Sequence, residues 1–278
     1  MTLESSGRFW DCGEFVPCCF KLQVPHSPGA PFFVIVGRIF TFFAMGDVLK
    51  VAFMVNFMSG ISTAFSILFC YWSVTMLAGK FIFKNKETDY TIANIITVVG
   101  AGAIAATCAT FLDSLWFSAV EGEVYALSQF FLGFIVWAIL KWESSDDKYA
   151  DHWIVLIAYM VGLSIGVHLL SLLAIPFIAL VYYYKRSNKP NILGFFVATG
   201  LGFVILGFAM KFVISYTQAF LAGFDKFFVN SLGMPFWSGA FAFIVILNSL
   251  LVFGLYYTQF VNKQRMWNLG ILCASLCI

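Results

Sequence analysis

Two short acidic clusters and one histidine-bearing turn carry the residues best suited to chemistry. The first cluster is Asp11-Cys12-Gly13-Glu14, followed twelve residues after Glu14 by His26-Ser27-Pro28-Gly29-Ala30-Pro31. Asp11 and Glu14 are three apart, so a single helical turn gives their carboxylates a common face. Such a pair suits a general base that deprotonates a hydroxyl, with a partner that orients it or holds a cation. Gly13 frees the backbone, and the Pro-Gly-Ala-Pro stretch makes a stiff turn able to pin His26. The plainer alternative is a solvated loop beside a membrane, because D-x-x-E alone is a weak pattern.

The second cluster is Asp113 together with Glu121-Gly122-Glu123-Val124-Tyr125. On a helix Glu121 and Glu123 would point about 160° apart, so at most one is expected to face a site shared with the first loop. Alternatively these acids only terminate the neighbouring spans. His168, in Gly162-Leu163-Ser164-Ile165-Gly166-Val167-His168, is the third candidate. A lone histidine in an apolar stretch is usually structural, yet the residue type suits proton transfer and phosphate contact at neutral pH. His152, beside Asp151, reads as a solvated loop residue.

The elements that must position these groups are membrane helices. The 278 residues are 61% hydrophobic and only 11% charged, against about 25% charged in ordinary soluble domains. So apolar a chain cannot cover a water-facing surface, and the fold class expected is all-α, a polytopic transmembrane bundle. A net charge of +2 gives no footing for a nucleic-acid partner. Apolar runs of roughly 20 residues mark spans at Val51–Leu77, Thr91–Leu112, Val124–Leu140, Ile192–Ser215 and Ala240–Val261, with another beginning near Trp267. Tyr216–Gly239 reads as a loop. Neither end looks complete: no secretory leader opens the chain, and it stops at Leu276-Cys277-Ile278 inside an apolar run. The expectation is a single domain over 1–278 that is a fragment, with about seven complete spans and the start of an eighth.

Trp153–Tyr184 decides the sidedness. Its 32 residues would make one helix of about 48 Å against a hydrocarbon core of about 30 Å. If the segment crosses twice, turning at Gly166-Val167-His168, ten of the sixteen basic residues share one face: Lys80, Lys84, Lys86, Lys141, Lys148, Lys185, Arg186, Lys189, Lys263 and Arg265. That face is then cytoplasmic. Residues 1–50, 113–123, the His168 turn and 216–239 fall on the other, with Arg8, Lys21, Arg38, Lys226 and, near span ends, Lys50 and Lys211. Within the first loop Pro31–Ala44 is apolar but too short to span, and suits a helix lying in the interface.

All fourteen acids lie outside the apolar cores of the spans. Ion-coupled transporters usually carry ionisable groups at membrane depth, so their absence here argues against transport. Of seven cysteines, Cys70, Cys108, Cys273 and Cys277 fall in or near spans and Cys12, Cys18 and Cys19 share the first loop, which leaves at least one of those three unpaired.

Four collinear blocks resemble a known family: Trp10-Asp11-Cys12-Gly13-Glu14-Phe15, His26-Ser27-Pro28-Gly29-Ala30-Pro31, Trp116 through Leu127, and Gly162 through Leu170. They are similar to bacterial multi-span proteins, common in Bacteroidetes, that are related to an animal endoplasmic-reticulum protein O-mannosyltransferase of the GT-C superfamily. Ser27 replaces the first proline of the family's H-P-P-G and leaves His26 and Gly29 intact. The resemblance implies a GT-C-like fold and a membrane glycosyltransferase. Its donor would be a polyprenyl-phosphate-linked, mannose-like sugar and its acceptor a hydroxyl, on protein Ser/Thr or a glycan. The setting implied is a bacterial inner membrane with the site facing the periplasm. It matches Asp11 to the essential first-loop acid, with Glu14 beside it, and Glu123 to the second-loop acid. Asp11 would take the acceptor proton with Glu14 as its catalytic partner, Arg38 and His168 are the candidates to meet the donor phosphate, and His26 and Glu123 would bind substrate. No cofactor is implied. Mg²⁺ or Mn²⁺ would suit the carboxylates but is not required by two acids. The rival classes are a lipid-linked glycan flippase and an inactive membrane scaffold.

Overall fold

The computed structural model describes residues 3, 11–27, 29–84 and 90–276. Arg8, Trp10, Pro28, Lys86 and Cys277, each used above, lie outside them. Among the described residues every regular element is a helix, as expected for a polytopic bundle. Six helical stretches among these residues are long and apolar enough to cross a membrane: Val48–Ile82, Ile92–Thr110, Val124–Ser144, Leu169–Arg186, Ile192–Leu232 and Ser238–Val261. The chain divides into two compact units.

The first unit comprises Met1–Ser144 and Leu163–Ala174. Its helices are α1 (Cys12–Lys21), α2 (Pro31–Phe42), α3 (Val51–Ile82), α4 (Ile92–Thr110), α5 (Asp113–Val120) and α6 (Val124–Ser144). The long helix α3 packs on α4, α5 and α6. In a bilayer the drive for helix association is close packing and interhelical hydrogen bonding, which favours small residues at the contact. Gly102 of α4 meets Thr75 so closely that a Cβ would lie 2.4 Å from the threonine methyl. Gly133 of α6 sits over Ser66, whose hydroxyl donates to the Gln129 carbonyl at 3.1 Å. Beside them Phe69 meets Trp72, Phe130 and Phe134 edge to face, Phe134 meets Trp137 the same way, and the Phe69 and Trp137 rings are tilted. At the far end of this pair Lys80 and Glu143 form an ion pair.

The short helices close the opposite end. α2 buries Phe33, Val34, Gly37 and Thr41 and leaves Ile35, Ile39 and Phe42 outward, the i, i+4, i+7 stripe of an amphipathic helix. Gly37 is required here, since a Cβ would stand 2.3 Å from the Cys19 sulfur. Cys12, Cys18 and Cys19 are all free thiols buried along α1, so packing and not pairing accounts for the three together. The first free N–H groups of α2 need an acceptor. Phe32 N–H finds the Gly166 carbonyl at 2.7 Å, tying the first loop to the His168 turn.

The second unit comprises Ser145–Gly162 and Ile175–Ile278. Trp153–Tyr184 is two helices, α7 (Asp147–Ile165) and α8 (Ala174–Arg186), separated by Gly166–Leu173. The break thus falls at the turn the basic residues predict. The rest is α9 (Ile192–Phe208), α10 (Thr217–Leu232), α11 (Ser238–Tyr256) and α12 (Arg265–Ser275). One expectation is corrected: Tyr216–Gly239 is not a loop. A π-helical segment, Ala209–Tyr216, joins α9 to α10 without a break, so Ile192–Leu232 runs 41 residues, about 60 Å at 1.5 Å per residue. Asp225 and Lys226 suggest a loop. Phe220, Leu221, Phe224, Phe227 and Phe228 keep helical spacing around them, and the spacing wins. Asp225 instead accepts from the Gly239 and Ala240 N–H groups at 3.1 and 3.3 Å, capping α11.

Candidate active site

The site grows from the N-terminus of α1. Asp11 occupies the N-cap position, yet its side chain makes no cap hydrogen bond. Its carbonyl accepts from Glu14 N–H and Phe15 N–H at 2.9 Å each, so the first turn is held by main chain. The carboxylate is left exposed, at 57%.

One turn on, Glu14 is fully engaged. It accepts from the main-chain N–H of His26 at 2.6 Å and meets the His26 Nδ1 at 2.8 Å. The turn His26–Gly29 closes with Gly29 N–H to the His26 carbonyl at 2.9 Å, Gly29 taking φ +97°, a conformation open mainly to glycine. The other ring nitrogen, Nε2, stands 3.9 Å from the Asp11 carboxylate. The ring also rests on Phe15, 5.6 Å between centroids. The hydrogen bond that the ring donates to Glu14 raises the His26 pKa above its ordinary value. The two bonds that Glu14 accepts, from the His26 ring and then from its main chain, hold Glu14 below the usual carboxylate range. Glu14 therefore favours the protonated imidazole and positions the ring beside Asp11.

Glu123 enters from the second cluster. It is buried, 5% exposed, and accepts from Asp11 N–H at 3.0 Å and from the Cys12 thiol at 3.6 Å. Burial raises its pKa, and the hydrogen bonds from Asp11 and Cys12 oppose that rise. Burial, then the nearby Glu123 and Glu121, push the Cys12 thiol up to about 12, so it stays a donor.

Glu121 supplies a second correction. The helix ends at Val120, and Glu121 is extended (φ −112°, ψ 142°). Along extended backbone residues two apart share a side, so both carboxylates face inward. With Cys12 they bring three potential ligand atoms within 4.8 Å of one another. The set mixes a soft thiol with hard carboxylates, and the thiol is spent as a hydrogen-bond donor to Glu123. Gly122 makes the approach feasible, since a Cβ there would lie 2.7 Å from the Asn56 side-chain oxygen and 3.0 Å from Val55.

Asp11, Phe117, Ser118, Glu121, Glu123 and Tyr125 line a cleft of about 230 Å³. That is below the roughly 300–1,000 Å³ of pockets for drug-sized ligands, and suits one small polar moiety. His168 lies one ring away, its imidazole 5.4 Å from Tyr125. Its Nδ1 accepts from Leu170 N–H at 3.1 Å, and burial lowers its pKa. The neutral tautomer consistent with that bond carries its proton on Nε2, which makes His168 a hydrogen-bond donor and not a cation.

Asp11, Glu14, His26 and Glu123 thus converge, with His168 behind Tyr125. Arg38 does not join them. Its guanidinium donates to the Phe20 carbonyl and to Thr41 (3.4 Å for the latter) and packs on the Phe20 and Phe42 rings. Phe20 is nine residues along α1 from Asp11, about 13 Å. Sequence spacing sets Glu121 against Glu123 and does not single out Cys12 or Tyr125. Both stand close to acids that it does single out, Cys12 to Asp11 and Tyr125 to Glu123, and that closeness is their signal in the sequence.

The family described as "Protein O-mannosyl-transferase TMEM260 N-terminal domain" matches residues 11–191. Protein O-mannosyl-transferase tmem260 of Dictyostelium discoideum is 26% identical over 253 residues, covering 83% of this chain and 29% of its own length. Protein O-mannosyl-transferase TMEM260 of Mus musculus is 24% identical over 206 residues, covering 73% of this chain and 26% of its own length. The chain therefore spans under a third of either relative. No solved structure matches.

Proposed function

From the premise that this chain belongs to the protein O-mannosyl-transferase TMEM260 N-terminal domain family, we propose that it carries the acid cleft of a membrane glycosyltransferase. The donor is a mannose-like sugar on a polyprenyl phosphate and the acceptor a hydroxyl, on a Ser or Thr side chain. One observation carries the reading. The matched region opens at Asp11, and within it the Asp11–Glu123 clasp and the Glu14–His26 pair converge on one exposed carboxylate. The names of the matching relatives support the transferase chemistry.

The reaction is a single displacement. Asp11 takes the acceptor proton as the hydroxyl oxygen bonds to the anomeric carbon. The bond from that carbon to the phosphate oxygen breaks, and its electron pair stays on the phosphate. His26, whose protonated form Glu14 favours, faces the charge that develops there, and His168 offers a neutral N–H to the same end. The cleft's carboxylates favour an oxocarbenium-like sugar, as carboxylates do in glycoside hydrolysis. A bacterial inner membrane, with the cleft facing the periplasm, is the setting that the motif resemblance and the basic-residue count support.

The test is direct. Full-length protein in vesicles is given labelled polyprenyl-phosphate mannose and a Ser/Thr-rich peptide. Label in the peptide supports a transferase. Label that only changes leaflet, with none in any acceptor, contradicts it and favours a flippase.

A further inference from the structure

Unit two carries a second mixed polar and aromatic space, at the tip where α10 turns into α11. Asp225, Lys226, Asn230, Phe236 and Trp237 join apolar neighbours around a cavity of about 380 Å³, within the roughly 300–1,000 Å³ usual for ligand pockets. Phe236 and Trp237 are 78% and 74% exposed, so neither ring is spent on the packing of the helices.

The tip is built rather than left by loose packing. A Cβ on Gly239 would lie 2.3 Å from the Phe224 carbonyl oxygen, so α10 and α11 touch backbone to backbone. Met234 N–H donates to the Phe228 carbonyl at 3.1 Å, and Ser238 N–H to the Pro235 carbonyl at 3.2 Å, which ties both ends of the turn. Within it Trp237 takes φ +73°, left-handed backbone that a bulky residue seldom adopts. Glycine would sit there without strain, so the indole is kept against the preference of its backbone. Asp225 holds α11 through Oδ1 alone. Among the described residues its Oδ2 and the Lys226 and Asn230 side chains have no hydrogen-bond or ion-pair partner.

We propose that this cavity binds a neutral saccharide, one pyranose face against Trp237 and its hydroxyls at Asp225, Lys226 and Asn230. The lining chemistry selects that occupant. A carboxylate only accepts hydrogen bonds, an ammonium only donates them and an amide does both. Neighbouring hydroxyls answer all three. Asp225 and Lys226 offset one another in charge, which favours an uncharged ligand over a phosphate or an amine. A pyranose also presents an apolar C–H face, and an exposed indole is its complement. An aromatic belt at the membrane surface would account for Phe236 and Trp237 alone. It would not account for a carboxylate in the same wall, which lipid disfavours. The basic-residue count assigns residues 216–239 to the non-cytoplasmic side, so the site faces outward. It shares no lining residue with the acid cleft and does not depend on the transferase reading.

The experiment uses the full-length protein in nanodiscs with fluorotryptophan, the Trp237 fluorine signal being assigned by its loss in Trp237→Phe. Methyl α-mannoside, methyl β-glucoside and methyl β-galactoside are titrated in turn. At least one should move the Trp237 signal saturably. Asp225→Asn, which keeps Oδ1 for α11, should weaken that sugar by at least about ten-fold, the usual worth of a hydrogen bond to a charged group. Trp237→Gly should raise the melting temperature, because the left-handed backbone relaxes. A signal unmoved by all three sugars overturns the proposal, and broadening by a nitroxide-bearing lipid would then mark Trp237 as a membrane anchor. So does a shift indifferent to Asp225→Asn, or a lower melting temperature for Trp237→Gly, which would make the indole a packing residue.

Discussion

The main-chain N–H of Asp11 donates to the Glu123 carboxylate at 3.0 Å across 112 residues of sequence. That bond fixes where the first turn of α1 begins relative to the turn before α6, and so where the Asp11 carboxylate points. It also ties together two loops that sequence alone could only assign to a common face.

Glu123 should therefore matter through Asp11. Glu123→Ala leaves a part-buried N–H without its acceptor, which costs about 1–3 kcal/mol. Glu123→Gln keeps an oxygen in place and should retain most of that stability. Thermal melts of the full-length protein in nanodiscs should rank wild type, Gln and Ala in that order. Equal melting of Gln and Ala would mean that the clasp holds nothing.

The Glu14–His26 pair sets a pH window. Glu14 titrates below its ordinary value, so its share of the pair is present above that value and fades as pH falls through the lowered one. His26 titrates above its ordinary value, so its share is complete below that value and is lost as pH rises through the raised one. The window therefore widens at both edges. Glu14→Gln should move the His26 titration back down toward the ordinary histidine value, read by NMR of the labelled imidazole. An unmoved titration would remove Glu14 as the cause.

Gly122 should resist any side chain. A Cβ meets the Asn56 oxygen at 2.7 Å and Val55 at 3.0 Å, so Gly122→Ala displaces the turn bearing Glu121 and Glu123. Overpacking of this kind costs about 1–3 kcal/mol. Transfer should fall more steeply than expression, whereas Gly100→Ala, with open space around it, should be silent in both. Matching behaviour of the two variants would count against the steric account.

Arg38 should behave as a structural residue. Its charge serves the Phe20 carbonyl and two aromatic rings, and hydrogen bonds to charged groups contribute about 1.5–3 kcal/mol. Arg38→Ala should lower the melting temperature and leave the donor KM of the folded fraction unchanged. A selective rise in donor KM would return Arg38 to the phosphate.

The sequence carried much of this and missed it at identifiable places. Helices α3, α4 and α6 follow from apolar runs of spanning length, and the break between α7 and α8 follows from where lysine and arginine fall. Glu121 was set against Glu123 by assuming a helix that ends one residue earlier. Residues 216–239 look like a loop in the sequence because Asp225 and Lys226 hide the phenylalanine spacing around them. Arg38 was drawn toward phosphate because its actual partner, the Phe20 carbonyl, is a main-chain group that no side-chain pattern announces. The cap on α2 from Gly166 and the clasp on Asp11 N–H are invisible for the same reason.

The central claim is that the Asp11 carboxylate takes the acceptor's proton. Asp11→Asn keeps the shape and the main-chain bond to Glu123 while removing the base. Transfer from labelled polyprenyl-phosphate mannose to a Ser/Thr peptide should then fall by about 10²–10⁴-fold, the usual worth of a general base, with donor binding and melting temperature preserved. Undiminished transfer by a folded Asp11→Asn protein would contradict the account.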